Sequence, residues 1–299
     1  MEPLIIGVAL NGNSAFRRNP AVPMTPDAIA QDAIACIAAG ATLIHNHIED
    51  YTANGAEAAA RFEQGWRPIV AQYPDIIFSP TASAGATIEQ RWAHNALLAE
   101  RGLSSMAWLD PGSCNMAPHS GADGMPGSGG HVYQNSFDDI DYAVRKMAEY
   151  GLGPDIAIFE PGFLRAILAY ARNGLLPPGA LIRFYFGGDH NPSSGVAGGL
   201  AWGLPPTATA LAAYREMMEG VDLPWMVAVA GGDVAACGIA RLAIEQGGHV
   251  RVGLEDYAGP DVPDNATLVA QVAALAKAAG RPIADPATAR AILDLPPKR

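Results

Sequence analysis

The sequence is short of cysteine, with 3 in 299 residues: Cys36, Cys114 and Cys237. An odd number without close spacing argues against a disulfide framework or a CxxC metal site, and the expected setting is reducing and cytoplasmic. Positive charge is also scarce. Lys and Arg number 19 against 30 Asp and Glu, a net charge of −11. That balance argues against nucleic acid or an anionic membrane surface as the main partner. A small anionic ligand needs only local cations and stays open. No window holds 18 uninterrupted apolar residues, so no membrane span is expected. The opening MEPLIIGVAL has an acid at position 2 and no basic region, so no secretory leader is expected.

What the chain does have is a sizeable apolar fraction, 49%, with only 16% charged residues. That composition is globular and excludes a disordered chain. The length allows two domains at about 150 residues each, but α/β barrels of this size also fold as one. The 33 Gly and 24 Pro punctuate it heavily.

Short β-branched apolar runs alternate with longer Ala-rich segments. Strands are predicted at 4–10, 42–47, 76–81, 104–109, 155–159, 181–186, 225–230 and 249–253. Helices are predicted between them, and the first starts at Thr25-Pro26-Asp27, a Thr cap followed by Pro at the first helical position. A further helix is expected at 266–279, and the tail from 287 suits a short ninth one. Eight strict alternations argue for a parallel sheet with crossover helices. The expected fold is a single-domain (β/α)8 barrel over residues 1–299 with long active-site loops, above all 109–135 after strand four. An open doubly wound sheet is the rival.

In a barrel the chemistry sits at the C-terminal strand ends. His45 and His47 end strand two. Residues i and i+2 of a strand point to the same side, so two imidazoles there can share one cation. Hydrogen-bonded histidines in a polar barrel mouth are the alternative. Strand eight lies near strand two, because strands one and eight close the barrel. Glu255 at its end could complete a two-His, one-carboxylate site. Zinc is preferred, and iron, manganese or cobalt also fit. Arg251 is expected inside the barrel, where it needs an acid, and Glu255 or Asp256 is available. The pair is either a structural ion pair or an aspartate poised to take or relay a proton.

Other residues are weaker signals. Asp189, His190 and Asn191 sit in a Gly-rich loop that is either a cradle for phosphate or pantetheine or a plain surface loop. His119 and His131 fall in the 109–135 loop, which could act as a lid. Cys114 has no basic neighbour in sequence and is read as structural or incidental. His94 is expected at the surface, and His249 at the barrel base in a structural role.

The segments PLIIGVALNG, VPMTPDAIAQDAIACIAAGATLIHNHIED and GGHVRVGLED, with the tail LVAQVAALAKAAGRPIADPATARAIL, resemble the β-keto acid cleavage enzymes. Their type member is the 3-keto-5-aminohexanoate cleavage enzyme. The likeness spans nearly the whole chain and is strongest at the two ends. It implies a zinc barrel, commonly tetrameric, that cleaves a β-keto acid with acetyl-CoA into acetoacetate and a new acyl-CoA. By motif position it implies His45, His47 and Glu255 as metal ligands, and Arg251 with Asp256 as the pair that deprotonates or relays. It places Thr81 near the substrate and Glu160 at an acidic position ending strand five. Substrate-binding positions fall on Asn13, Ser14, Trp108, Asp110 and Asp233. Several of these depart from the family: Trp108 and Asp110 stand for Thr and Asn, Asp233 for Arg, and Asn13-Ser14 for an acid. The segment 257–264 lacks a customary Lys. The departures put CoA use in question and suggest a cationic or polyhydroxylated keto acid held by Asp110 and Asp233. A metal-dependent lyase or aldolase without CoA is the second reading. A non-catalytic metabolite-binding homologue is the third.

Overall fold

The computed structural model describes residues 1–12, 18–116, 132–192, 195 and 197–298. Asn13, Ser14, His119 and His131 lie outside these described residues. Eight parallel strands alternate with helices. They are β1 (Ile6–Ala9), β2 (Leu43–Asn46), β3 (Ile77–Pro80), β4 (Met106–Leu109), β5 (Gly153–Ile158), β6 (Leu181–Gly187), β7 (Trp225–Ala230) and β8 (His249–Val252). The helices between them are α1 (Pro26–Ala39), α2 (Gly55–Gln72), α3 (Ile88–Glu100), α4 (Phe137–Tyr150), α5 (Pro161–Arg172), α6 (Ala208–Met217) and α7 (Ile239–Glu245), and α8 (Asn265–Ala278) and α9 (Pro286–Ile292) follow β8.

The strand order is β3-β2-β1-β8-β7-β6-β5-β4. The pairing of β1 with β8 brings the two ends of the chain together, and β3 and β4 meet at the remaining seam, where the Ser104 hydroxyl donates to the Phe78 carbonyl at 3.3 Å. This is the (β/α)8 barrel, one domain, and the open sheet is set aside. No helix among the described residues is long and apolar enough to cross a membrane.

Strand alternation sorts the side chains into two environments. One set, including Ile6, Val8, Ile44, Phe78, Ile156, Ile182, Phe184, Val227 and Val250, packs outward against the helices. The other points into the barrel. Its lowest layer is apolar, with Ile5, Leu43, Ile77, Met106, Leu181 and Met226 clustered with Ala284, Ala289 and Leu293 from the region of α9. The predicted ninth helix is therefore a plug for the barrel bottom. Asp285 caps it, accepting from Thr288 N at 2.7 Å, with Pro286 in its first turn.

Above that layer the same inward register carries polar residues: His45, Ser79, Asp155, Arg183 and Arg251, all buried. The sequence pattern thus builds a dry floor and a charged upper chamber. Gly253 makes the closure of β8 on β1 possible. Its φ is 139°, and a Cβ there would lie 2.0 Å from the Ala9 carbonyl oxygen.

Candidate active site

His45 and His47 project from the end of β2 toward Glu255, just beyond β8. The distances are 3.3 Å from His45 Nε2 to Glu255 Oε2 and 3.1 Å from His47 Nε2 to Glu255 Oε1. One ligand atom from each residue lies within 4.8 Å of the others. Gly12 gives Glu255 its room, since a Cβ at 12 would stand 2.8 Å from Glu255 Cγ.

The protonation states make this arrangement informative. His45 Nδ1 donates to the Ser79 carbonyl at 2.9 Å, which leaves Nε2 as the face toward Glu255. Burial lowers the His45 pKa to about 4, although Glu255 pulls the other way. Burial also opposes the charge on Glu255, but Arg251, His45 and His47 together hold its carboxyl well below the usual range. At neutral pH a bare imidazole lone pair therefore faces a carboxylate. Two acceptors at 3.3 Å repel unless a cation stands between them. Ligand distances of about 2.0–2.2 Å around a tetrahedral ion place neighbouring donor atoms roughly 3.3 Å apart. The donor set fits a divalent metal, and a carbonyl-oriented second nitrogen is a usual support for such a ligand.

Arg251 binds both acids that follow it. Its Nη2 donates to Glu255 Oε2 at 2.9 Å and its Nε to Asp256 Oδ2 at 2.8 Å. Burial, with the charge of Glu255 added, raises the Asp256 pKa against the pull of Arg251.

A cavity of about 440 Å³ opens over these groups. His45, His47, Glu255 and Arg251 line one part of it, and Thr81, Trp108 and Asp110 another, with Tyr133, Phe159 and Tyr185 as aromatic walls. The Tyr133 hydroxyl donates to Asp110, and burial raises the Asp110 pKa to about 6.

Other expected residues lie elsewhere. Asp256 lines a crevice behind Arg251 rather than the cavity wall. Glu160 precedes α5 as its cap residue, and its carboxylate accepts from Gly203 N at 3.1 Å. The Asp233 carboxylate accepts from Ala235 N and Ala236 N at 2.9 and 3.0 Å. It caps the turn after β7 and lines the crevice that Asp256 lines, whereas Asp110 lines the cavity. In the Gly-rich loop, the Asp189 carbonyl accepts from Gly198 N and Gly199 N, and His190 N donates to Gly231 O. Cys114 pairs by its backbone with Tyr133 across the base of the long loop, and burial pushes its thiol up to about 11.

His94 is a correction. It is fully buried, not on the surface, and its Nε2 donates to the Thr81 carbonyl at 2.8 Å while its ring stacks on Phe62. His249 is buried at the base, where its Nδ1 accepts from Ile5 N at 3.1 Å.

Sequence reading missed Arg183 and Asp155. They form a buried ion pair, and the Ser79 hydroxyl donates to Asp155 Oδ2 at 2.7 Å. The signal was present in LIRFYF, where Arg183 alternates with Leu181 and Tyr185 on the inward face. A charge at such a position demands a partner or a task.

The fold and site together define a barrel enzyme that gathers two imidazoles, one carboxylate and an arginine at its catalytic rim. The chain belongs to the beta-keto acid cleavage enzyme family, whose profile matches residues 3–295. It is 32% identical to 3-oxoadipate:acetyl-CoA acetyltransferase of Cupriavidus necator, over 99% of this chain and 96% of that protein. It is 30% identical to a 3-keto-5-aminohexanoate cleavage enzyme of Fusobacterium nucleatum, over 99% of both chains. Among solved structures it resembles ObcA in complex with oxaloacetate, with a TM-score of 0.63 at 16% identity, covering 92% of this chain and 68% of that one. That last likeness concerns the fold alone.

Proposed function

We propose that this enzyme exchanges acyl groups between a β-keto acid and acetyl-CoA in a zinc-dependent reaction. The carbon carrying the carboxylate gains the acetyl group and gives up its original acyl group. The acyl group leaves on CoA, and the products are acetoacetate and a new acyl-CoA. The observation that carries this reading is the convergence of His47, a neutral His45 and an ionised Glu255 beside Arg251 in one cavity. The relatives' names support acetyl-CoA as the second substrate.

A divalent metal bound by His45, His47 and Glu255 supplies a Lewis acid that polarises the β-keto carbonyl. The rest falls to the chain's own groups. Arg251 presents positive charge to the cavity and keeps Glu255 ionised. Asp256, set behind Arg251, oriented by it and made more basic by burial, is the base that receives by relay the proton lost from the carbon between the two carbonyls. The carbanion then attacks the acetyl thioester and expels CoA as its thiolate. The thiolate attacks the original keto carbonyl, and the bond from that carbonyl to the carboxylate-bearing carbon breaks to give the new acyl-CoA. The carbanion left on acetoacetate takes the proton back. Thr81, Trp108 and Asp110 surround the remainder of the substrate.

The test is a panel of β-keto acids incubated with the zinc-loaded protein and acetyl-CoA, read as new thioester and acetoacetate. Equal amounts of the two products are expected. Keto-acid cleavage by the zinc protein with no acetyl-CoA dependence would instead support the lyase reading.

A further inference from the structure

Arg183 carries more hydrogen-bonding capacity than the protein uses. It is 3% exposed, lies on the inward face of β6 and lines the cavity. One nitrogen, Nη1, is bound to Asp155. Its Nε is buried without a partner, and among the described residues Nη2 has none either. The planar fork of a guanidinium is matched to carboxylate geometry, and an arginine keeps its charge at any working pH. A buried N–H left unpaired is a standing cost to the fold. A site that retains such donors in the wall of a cavity is poised to receive an acceptor from the ligand.

The neighbours favour an anionic acceptor. The guanidinium carbon of Arg183 lies 5.2 Å from the centre of the Tyr185 ring, and that of Arg251 lies 5.4 Å from the same ring. Two guanidiniums thus flank one aromatic wall. Their acids are already engaged: Asp155 by Arg183 and Ser79, Glu255 and Asp256 by Arg251. Asp110 is held by Tyr133, and burial weakens its charge. The unmatched polar capacity on this side of the cavity is donor capacity.

We propose that Arg183 is the carboxylate-binding residue of the cavity and selects the substrate by that group. The assignment rests on the acyl-exchange reading for the identity of the ligand, though not for its charge. The carboxylate is either the one common to all β-keto acids or a second one at the far end of a dicarboxylic substrate.

Removing Arg183 alone would strand the Asp155 charge, so the test uses the double variant Arg183→Met/Asp155→Asn, with Asp155→Asn as its control. Asn keeps an acceptor for the Ser79 hydroxyl. Binding of acetoacetate, methyl acetoacetate and 3-oxoglutarate to the zinc-loaded proteins is measured by calorimetry, together with zinc affinity and thermal unfolding. The proposal expects unchanged zinc affinity and a loss of roughly 10- to 100-fold in carboxylate binding, the scale of a hydrogen bond to a charged group. Methyl acetoacetate, which has no free carboxylate, should bind as before. Loss with both acids assigns Arg183 to the common carboxylate. Loss with 3-oxoglutarate alone assigns it to a second carboxylate and marks a dicarboxylic substrate. A folded, zinc-binding double variant that discriminates among the three ligands as the native protein does would overturn the proposal. If these binding losses occur but the native enzyme forms no acyl-CoA, the reaction reading fails and the assignment of Arg183 stands.

Discussion

His45 and Glu255 stand 3.3 Å apart with no proton to share at neutral pH. This residue-scale conflict is what makes the site a metal-binding candidate. His47→Ala should lower zinc affinity by more than about 100-fold, since even supporting residues around a ligand are worth 10- to 100-fold. Gly12→Ala tests the packing behind the same carboxylate. Its Cβ would press on Glu255 Cγ, so zinc affinity should fall by roughly 10-fold or more while the melting temperature changes little. Competition with a chromophoric chelator checks both. The buried histidines away from the site govern acid stability. Burial lowers His94 to about 4 and His249 to about 3, below the unfolded value of about 6.5. The unfolded chain then binds more protons, so stability is complete above pH 6.5 and falls as pH drops toward 4. Denaturant unfolding between these values should show the loss. In His249→Asn, which keeps an acceptor for Ile5 N, the dependence should shrink by about one proton. His45, His47, Glu255, Arg251 and Asp256 were legible from strand-end position and register. His94 was not, because its burial depends on how α3 packs against α2, which a single helix does not reveal. The turn-capping bonds of Asp233 were not legible either, because a loop acid at a strand end and a turn cap read alike.

At the scale of elements, the alternating strand pattern explains both floor and chamber. The low inward positions Ile5, Leu43, Ile77, Met106, Leu181 and Met226 are apolar, and the higher ones mix polar side chains such as His45, Asp155, Arg183 and Arg251 with Trp108, Tyr185 and small alanines. The predicted alternation carried this information without showing which layer each residue joins, since that follows from the stagger between strands. Ala157 on β5 stands opposite Arg183 on β6, and Asp155, two residues earlier on the same face of β5, thus comes within reach of that arginine. The Arg183–Asp155 pair became visible only through that register. The role of α9 was equally hidden, since its seven residues say nothing of what they cover. Leu293, 2% exposed, closes α9 against the barrel floor. Leu293→Ala should destabilise the fold by about 2–5 kcal/mol, measured by denaturant unfolding, with little effect on zinc affinity because the floor lies at the opposite end from the metal ligands.

For the whole molecule, the scarcity of positive charge takes on a specific meaning. With 19 basic residues against 30 acidic ones, the chain still commits two arginines, Arg183 and Arg251, to the interior beside its candidate metal ligands. Burying them demands acidic partners, which Asp155, Glu255 and Asp256 supply. The overall acidity thus goes with a cavity in which cationic groups are gathered. The central claim of the proposal is that an acyl group is exchanged at the carbon bearing the substrate carboxylate. The most direct test supplies the zinc-loaded enzyme with acetyl-CoA labelled with carbon-13 in its acetyl group and an unlabelled β-keto acid other than acetoacetate. The account predicts that the label enters acetoacetate and that the new acyl-CoA carries none. Unlabelled acetoacetate, or consumption of the keto acid with all the label retained on CoA, would contradict it.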